Sequence, residues 1–322
     1  MRVLVVGGAG YIGSHMVRVL LEEKLDTVVF DNLSTGYREF VPEGVSFING
    51  DLRNESDIQK VFKEYRIDAV MHFAASSLVP ESMSNPLKYY DNNVLACINL
   101  LKAMLENKVT KFIFSSTAAV YGEPENIPIK EEDKTRPTNT YGRSKLMIEN
   151  ILRDISHAHD FSYIALRYFN AAGAHPSGKI GEKHNPETHL IPNILKAAKG
   201  EKSELMIFGN DYPTPDGTCI RDFIHVQDLC HAHLLALKAL KDGMKSDIFN
   251  LGSGSGYSVK EVVQTVEEVT GKKINAKIGP RRAGDPAKLV ASAEKAQMVL
   301  GWKPKANLDE IIRSAWAWES KN

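Results

Sequence analysis

The sequence predicts an α/β fold: a doubly wound parallel sheet with a smaller, discontinuous C-terminal lobe. Three observations carry that reading. Short continuous apolar runs rich in Val, Ile and Phe alternate with segments of helical periodicity, the pattern of strands covered on both faces by crossover helices. A glycine cluster links the first apolar run to the first helical segment. After Asn170 the alternation gives way to stretches rich in Gly, Pro, Asn and Asp, which read as loops.

Taken in order, "RVLVV", "TVVFD", "VSFING", "AVMHFAA" and "KFIFSS" are the first five strands, and "YIALRYF" the sixth. "YIGSHMVRVLLEEK", "ESDIQKVFKEY" and "NNVLACINLLKAMLEN" supply helices between them. "AAGAHPSGKIGEKHNPETH" and "GNDYPTPDGT" are long loops, which in a compact enzyme more often bind or cover a ligand than merely connect. "FIHVQDLCHAHLLALKAL" and "IFNLGS" predict a strand, helix and strand returning to the sheet, and "KLVASAEKAQMVLGWKPK" and "LDEIIRSAWAWES" close the lobe. The expected domains are residues 1–170, joined by about 224–251, for a dinucleotide, and residues 171–322 for a substrate.

With 43% apolar and 25% charged residues over 322 positions, the composition is that of an ordinary globular protein. Forty basic and forty acidic residues cancel, so no overall field favours nucleic acid or an anionic membrane. No apolar run approaches the roughly 20 residues of a membrane span, and "MRVLVVGGAG" reaches its glycines too early for a signal peptide. Cys97, Cys219 and Cys230 are odd in number and lack metal-type spacing, which suits a reducing cytoplasm. His231 and His233 sit about 200° apart on a helix and diverge, so no metal site is expected there or elsewhere.

"VLVVGGAGYIG" places Gly8, Gly10 and Gly13 in Gly-x-Gly-x-x-Gly spacing, with Gly7 just before. After a strand and at the start of a helix, such glycines let the backbone approach a pyrophosphate, the Rossmann-like arrangement. Asp31 ends the second strand, about 20 residues on, where a carboxylate accepts from both hydroxyls of the adenosine ribose. It would repel a 2′-phosphate, and no arginine follows until Arg38, so the expected cofactor is NAD rather than NADP. Asp51, after the third strand, suits either the adenine amino group or a turn or N-cap role. Asn92, opening a long helical pattern, suits either a cap or a cofactor contact.

"TNTYGRSKLMIEN" sets Tyr141 four residues before Lys145, where a helix begins, so both heads lie on one face. Chance alone places about one Tyr-x-x-x-Lys in a chain of this composition, so context decides. Upstream, "FIFSSTAAVYG" ends a strand in Ser115, Ser116 and Thr117, at the edge where open parallel sheets bind ligands. A hydroxyl there polarises a substrate oxygen while Tyr141 exchanges its proton and NAD the hydride. Tyrosine titrates near 10 and one nearby cation lowers a pKa by about 1–3, so Lys145 needs help from the positive nicotinamide ring.

These features, with "GGAGYIGSH", "DNLSTG", "MHFAA", "PLKYYDNNV", "SSTAAVYG", "YGRSK", "LRYFNAAGAHPSG", "IFGNDYPTPDGTCIRDFIHVQDL" and "PRRAGDP", make the whole chain resemble the extended short-chain dehydrogenases, among them those acting on nucleotide sugars. The resemblance implies a cytoplasmic homodimer that keeps NAD bound and interconverts UDP-galactose and UDP-glucose at C4 through a 4-keto sugar. It implies Tyr141 as catalytic base, Lys145 as its partner and Thr117 as a catalytic hydroxyl. It places Tyr11, Ile12, Asp31, Asn32, Asp51, Leu52, Phe73, Ala74, Ala75, Asn92 and Ser115 at NAD-contacting positions, with Tyr168 near the nicotinamide. Phe169, Asn170, Leu190, Phe208, Arg221, Arg282 and Asp285 fall at nucleotide-sugar positions. The residue chemistry agrees: two arginines suit two phosphates, Asp285 a ribose and Phe208 a uracil.

Three positions depart from the family pattern. Ser77 stands where some members carry lysine at the cofactor, Thr117 where serine is common, and Leu289 where members restricted to plain hexoses carry tyrosine. Leucine there leaves room for an N-acetyl group, so UDP-GlcNAc and UDP-GalNAc enter the expected range. A 4,6-dehydratase of the same fold wants a carboxylic acid beside the pocket hydroxyl, and Thr117-Ala118-Ala119 has none. A non-catalytic NAD-sensing protein would not need an intact Thr117, Tyr141 and Lys145.

Overall fold

In the computed structural model, which describes residues 1–282 and 285–322, the alternation expected from the sequence forms. It runs β1 (Arg2–Val6), α1 (Tyr11–Glu22), β2 (Asp26–Asp31), β3 (Ser46–Asn49), α2 (Glu55–Glu64), β4 (Ala69–His72), α3 (Val79–Ser84), α4 (Pro86–Tyr89), α5 (Ala96–Glu106), β5 (Lys111–Thr117), α6 (Thr140–Ala158) and β6 (Ser162–Tyr168). There follow β7 (Asn170–Ala172), α7 (Leu190–Lys199), β8 (Leu205–Phe208), β9 (Ile220–His225), α8 (Val226–Lys241), β10 (Asp247–Leu251), β11 (Gly256–Ser258), α9 (Val259–Thr270), β12 (Ala276–Gly279), β13 (Lys288–Leu289), α10 (Glu294–Leu300) and α11 (Leu308–Glu319).

By its internal contacts the chain divides into two compact units. The first comprises Met1–Gly122, Lys134–Arg167 and Cys230–Phe249. Its seven-stranded sheet has the order β10-β6-β5-β4-β1-β2-β3, and the pairings from β3 through β5 are parallel. Continuous apolar strands form because both faces are covered: Val3 to Val6, Val28, Val29, Ala69 to Met71 and Phe112 to Phe114 are all buried. Ile58, Val61, Leu100, Met104, Ile148 and Leu152 from α2, α5 and α6 pack on one side of them. β1 lies between β2 and β4, so the strand order reverses there, and the loops after β1 and β4 meet at the point where such sheets take ligands.

The second unit comprises Glu123–Asp133, Tyr168–Leu229 and Asn250–Asn322. β9 is its hub, pairing with β11, β13 and β7, while β8 and β12 form a separate parallel pair. Ile191, Ile194, Leu195, Phe223, Val262, Val266, Ile311 and Ile312 form its core. Side-chain caps fix its helix starts: Ser258 with Glu261 at α9, and Asn307 with Glu310 at α11, are reciprocal capping boxes. One expectation fails here. The strand expected to return to the main sheet, β9, belongs to the second sheet, and β10 alone makes the return. An apolar run identifies a strand but not its neighbour. Among the described residues no helix is long and apolar enough to cross a membrane.

Candidate active site

The turn after β1 is shaped by what its glycines lack. Gly7 has φ +79°, and a Cβ there would lie 2.5 Å from the Ala74 nitrogen; a Cβ on Gly13 would lie 2.1 Å from the Gly7 carbonyl. Both positions are closed to any side chain. Gly10 differs: its Cβ would meet only the Gly7 carbonyl, at 3.4 Å. It stands at the N-terminus of α1, which has no side-chain cap, and a side chain would fill the space before those N–H groups. Tyr11, Ile12 and Gly13 form the first turn behind it. This is a cradle suited to a pyrophosphate.

Asp31, buried at the end of β2, holds the same turn. Its Oδ2 accepts from the Ala9 amide at 2.9 Å and its Oδ1 from the Leu33 amide at 2.8 Å. Burial pushes its carboxyl above the usual range, and the two amides pull against that rise. Asn32 donates to Asp51 at 3.0 Å. Asp51 holds a turn, accepting from the Arg53 amide at 2.9 Å, while Asn54 caps α2. The Arg53 guanidinium then grips both its oxygens, at 3.0 and 2.7 Å, and holds the carboxyl well below its ordinary value. Leu52 beside it is buried.

The loop after β4 carries Phe73, Ala74 and Ala75, half-buried, and Ser77, exposed. The amides of Phe73 and Ala74 both donate to the Val6 carbonyl, at 2.8 and 3.2 Å, binding this loop to the glycine turn. Asn92 does not cap a helix. It lies in a π-helical turn, Tyr90–Leu95, and donates to the Ser76 hydroxyl at 3.1 Å. Its neighbour Asn93, which sequence reasoning missed, is buried; it accepts from the Ser76 amide at 2.8 Å and donates to the Ser76 carbonyl and the Ser144 hydroxyl, each at 3.0 Å. It thereby pins the β4 loop to α6. A π-turn re-aims side chains without ending a helix, and no local sequence signal marks it.

At the end of β5, Ser115, Ser116 and Thr117 are buried and Tyr141 is half-buried. Asn139 caps α6 by accepting from the Gly142 amide at 2.8 Å, which sets Tyr141 in the first turn. Burial raises the Tyr141 phenol above its ordinary value, and the nearby Thr117 hydroxyl works against that rise. The expected convergence of Tyr141 and Lys145 takes a different form. The Lys145 ammonium donates to the Ser115 carbonyl at 2.8 Å and lies 4.8 Å from the Phe114 ring centroid. Burial lowers Lys145 to about 8. Four residues on, fully buried Glu149 accepts from Ser116 Oγ at 2.6 Å and pairs with Arg167 through two bonds of 2.9 and 2.6 Å. Arg167 also donates to the Tyr121 hydroxyl at 2.8 Å. This network, unforeseen from sequence, locks the strand end and the helix face that carry the reacting groups. The arrangement can exchange a proton at the Tyr141 oxygen beside a fixed hydroxyl.

In the second unit, Tyr168 and Phe169 lie where β6 passes to β7 and are half-buried. Asn170 donates to the Asp222 carbonyl at 2.9 Å, and Leu190 begins α7. Arg221 and Asp285 are ion-paired, and Leu289 sits opposite Arg221 in the β13–β9 register. The Arg282 guanidinium lies 4.0 Å from the Phe208 ring centroid. Six of the nine proposed substrate residues thus fall into contacts with one another or with one strand, β9.

The residues from 3 to 252 match the model of the NAD dependent epimerase/dehydratase family. The chain belongs to that family. A UDP-glucose 4-epimerase of Lacticaseibacillus casei is 52% identical over 323 residues, covering 100% of this chain and 98% of that one. The solved UDP-glucose 4-epimerase of Bifidobacterium longum, in complex with NAD+ and UDP, is 42% identical with a TM-score of 0.95 and covers 100% of this chain and 99% of its own. The UDP-Glc/GlcNAc 4-epimerase of Campylobacter jejuni is 45% identical with a TM-score of 0.88, at the same coverage. The family's NAD dependence agrees with the glycine cradle and the carboxylate at β2.

Proposed function

We propose that this NAD-dependent epimerase interconverts UDP-galactose and UDP-glucose at C4, with Tyr141 as acid–base and Thr117 and Lys145 as its partners. The observation that carries the reading is the placement of buried Thr117 at the end of β5 with Tyr141 in the first turn of α6, where Thr117 acts on the phenol, and with the Lys145 ammonium buried against the Ser115 carbonyl. When bound, NAD supplies a hydride acceptor that later returns the hydride. Asp31, Asn32 and the glycine turn bind it; Asp51, Leu52, Phe73, Ala74, Ala75, Ser77, Asn92, Ser115 and Tyr168 complete its surroundings. Tyr141 takes the 4-hydroxyl proton while Thr117 holds the same oxygen, so the developing negative charge never stands alone. Lys145 keeps a positive charge close behind Ser115 and favours the phenolate. Arg221 and Arg282 hold the diphosphate, Asp285 the ribose, Phe208 the uracil, and Phe169, Asn170 and Leu190 the remainder. Anchored through UDP, the 4-keto sugar turns over, and Tyr141 returns the proton on the opposite face.

Leu289 extends the range to UDP-GlcNAc and UDP-GalNAc; the Campylobacter jejuni enzyme named for both sugars supports that extension. The reading includes a homodimer in the cytoplasm. Exposed Met83, Leu87, Leu95 and Met147 lie on adjoining segments of the first unit and offer an apolar face to a second copy, and Cys97, Cys219 and Cys230 are unpaired thiols. The test adds UDP-galactose to purified protein without cofactor and follows UDP-glucose by NMR. Conversion is expected; none, with bound NAD verified, rejects the reading.

A further inference from the structure

We propose that Glu182, His184, Glu187 and His189 form a structural Zn²⁺ site in the second unit. All four lie on the connection between β7 and α7, and one ligand atom from each comes within 4.8 Å of all the others. His189 Nδ1 is 2.9 Å from Glu182 Oε1 and 3.2 Å from Glu187 Oε1. His184 Nδ1 is 3.5 Å from Glu182 Oε1 and 3.5 Å from Glu187 Oε2. A tetrahedral zinc with bonds of about 2.0–2.1 Å places its ligands about 3.3 Å apart. The His189–Glu182 and His184–Glu182 separations, both to Oε1, lie on either side of that edge length, and each histidine meets a different oxygen of Glu187, so binding one ion draws the four ligand atoms together from within 4.8 Å. Each imidazole turns the same nitrogen toward both carboxylates. A single N–H serves two acceptors poorly at 3.5 Å, whereas one central cation serves all four groups at once.

Charge points the same way. The Glu182 and Glu187 side chains are only 8% and 3% exposed, and two nearly buried carboxylates need neutralising. Two carboxylates, two neutral imidazoles and one Zn²⁺ sum to zero. Protonating both histidines also balances the charge, but sets two cations side by side with ring centroids 5.0 Å apart. Two nitrogens and two oxygens suit zinc, while Mg²⁺ and Ca²⁺ prefer oxygen alone. Ligand orientation is already fixed. Glu187 Oε1 accepts from the Thr188 and His189 amides at 2.8 and 2.9 Å, and the Glu182 carbonyl accepts from Trp318 Nε1 at 3.2 Å. Four protein ligands leave no open position, so the metal fastens the connection immediately before Leu190 and takes no part in chemistry. The sequence signal is Glu-x-His-x-x-Glu-x-His within "GEKHNPETH".

The test uses the full-length protein stripped with EDTA and Zn²⁺ as the only added ligand, titrated against a chromophoric chelator. One Zn²⁺ per chain is expected, with a higher melting temperature. Binding should weaken at least ~100-fold in His184→Ala/His189→Ala, beyond the effect of losing a hydrogen bond that only orients a ligand. Should that variant fail to fold, Co²⁺ bound to the unaltered protein gives the answer: intense tetrahedral visible bands are expected. Weak octahedral bands, or zinc uptake no greater in the unaltered protein than in the double variant, would overturn the site and leave the cluster as histidine–glutamate ion pairs.

Discussion

In the first unit the groups assigned to chemistry stand at the ends of regular elements: Gly7 after β1, Asp31 on β2, Thr117 on β5, Tyr141 in the first turn of α6. In the second unit the corresponding groups are partners across long stretches of chain; Arg221 and Asp285 are 64 residues apart. The first unit fixes its reacting atoms through backbone geometry and a buried ion pair. The second brings its proposed binding groups together through side-chain contacts: Arg221 on β9 pairs with Asp285, and Arg282 covers Phe208 at the end of β8. The proposed roles divide accordingly: chemistry falls to groups of the first unit, and affinity and range to groups of the second. Changes in the first unit should therefore act on kcat or stability, and changes in the second on KM and choice of sugar.

The largest expected effect is that of Tyr141→Phe, which should lower kcat by ~10²–10⁴-fold while NAD and the fold are retained. Near-normal kcat at saturating UDP-galactose would remove Tyr141 from the chemistry. Arg167→Met breaks a pair whose side chains are 4% and 0% exposed, so urea unfolding should show a loss of about 3–5 kcal/mol; a loss under 1 kcal/mol would deny that the network stiffens the site.

Lys145 sharpens the contrast through pH. Its folded value of about 8 lies below the 10.5 of an ordinary lysine, so between those values the unfolded chain holds the extra proton. Folding carries the full cost of the buried cation below about pH 8, and that cost fades as pH rises toward 10.5. Stability relative to Lys145→Met should therefore improve across that window by up to about 3 kcal/mol. A constant difference would mean Lys145 is not buried as a cation. In the second unit, Arg221→Met should raise the KM for UDP-galactose by ~10–100-fold, the scale of a lost charged hydrogen bond, with kcat nearly unchanged. An equal fall in kcat would break the division of labour. The narrowest effect, confined to one substrate, is that of Leu289→Tyr, expected to cut kcat/KM for UDP-GlcNAc by ~10-fold or more and spare UDP-galactose; equal losses would show that Leu289 is not the gate.

Legibility followed the same boundary. β1 to β6, the glycine turn, Asp31 and the Tyr141 helix could be read because strand and helix periodicity and turn chemistry are local properties. Where two local roles competed, as at Asp51 and Asn92, sequence left the choice open, since the contacts with Arg53 and Ser76 are tertiary or rotameric facts. The Glu149–Arg167 pair was invisible because two buried charges 18 residues apart look like any surface pair until burial is known. In the second unit the failure concerned partners, since β9 was seen as a strand but assigned to the wrong sheet; in the first, Lys145 was placed on the right face, and its ammonium donates to the Ser115 carbonyl. The roles of the proposed substrate residues came from family resemblance, not from spacing.

The central claim is that a hydride leaves C4 and returns to the same carbon while Tyr141 moves the proton. The most direct measurement gives the enzyme UDP-galactose deuterated at C4, in ordinary water and without added cofactor, and locates the label in the UDP-glucose formed. Retention of deuterium at C4 is predicted, because a hydride held within the enzyme does not exchange with solvent. Loss of the label to water, at a rate matching turnover, would contradict the account.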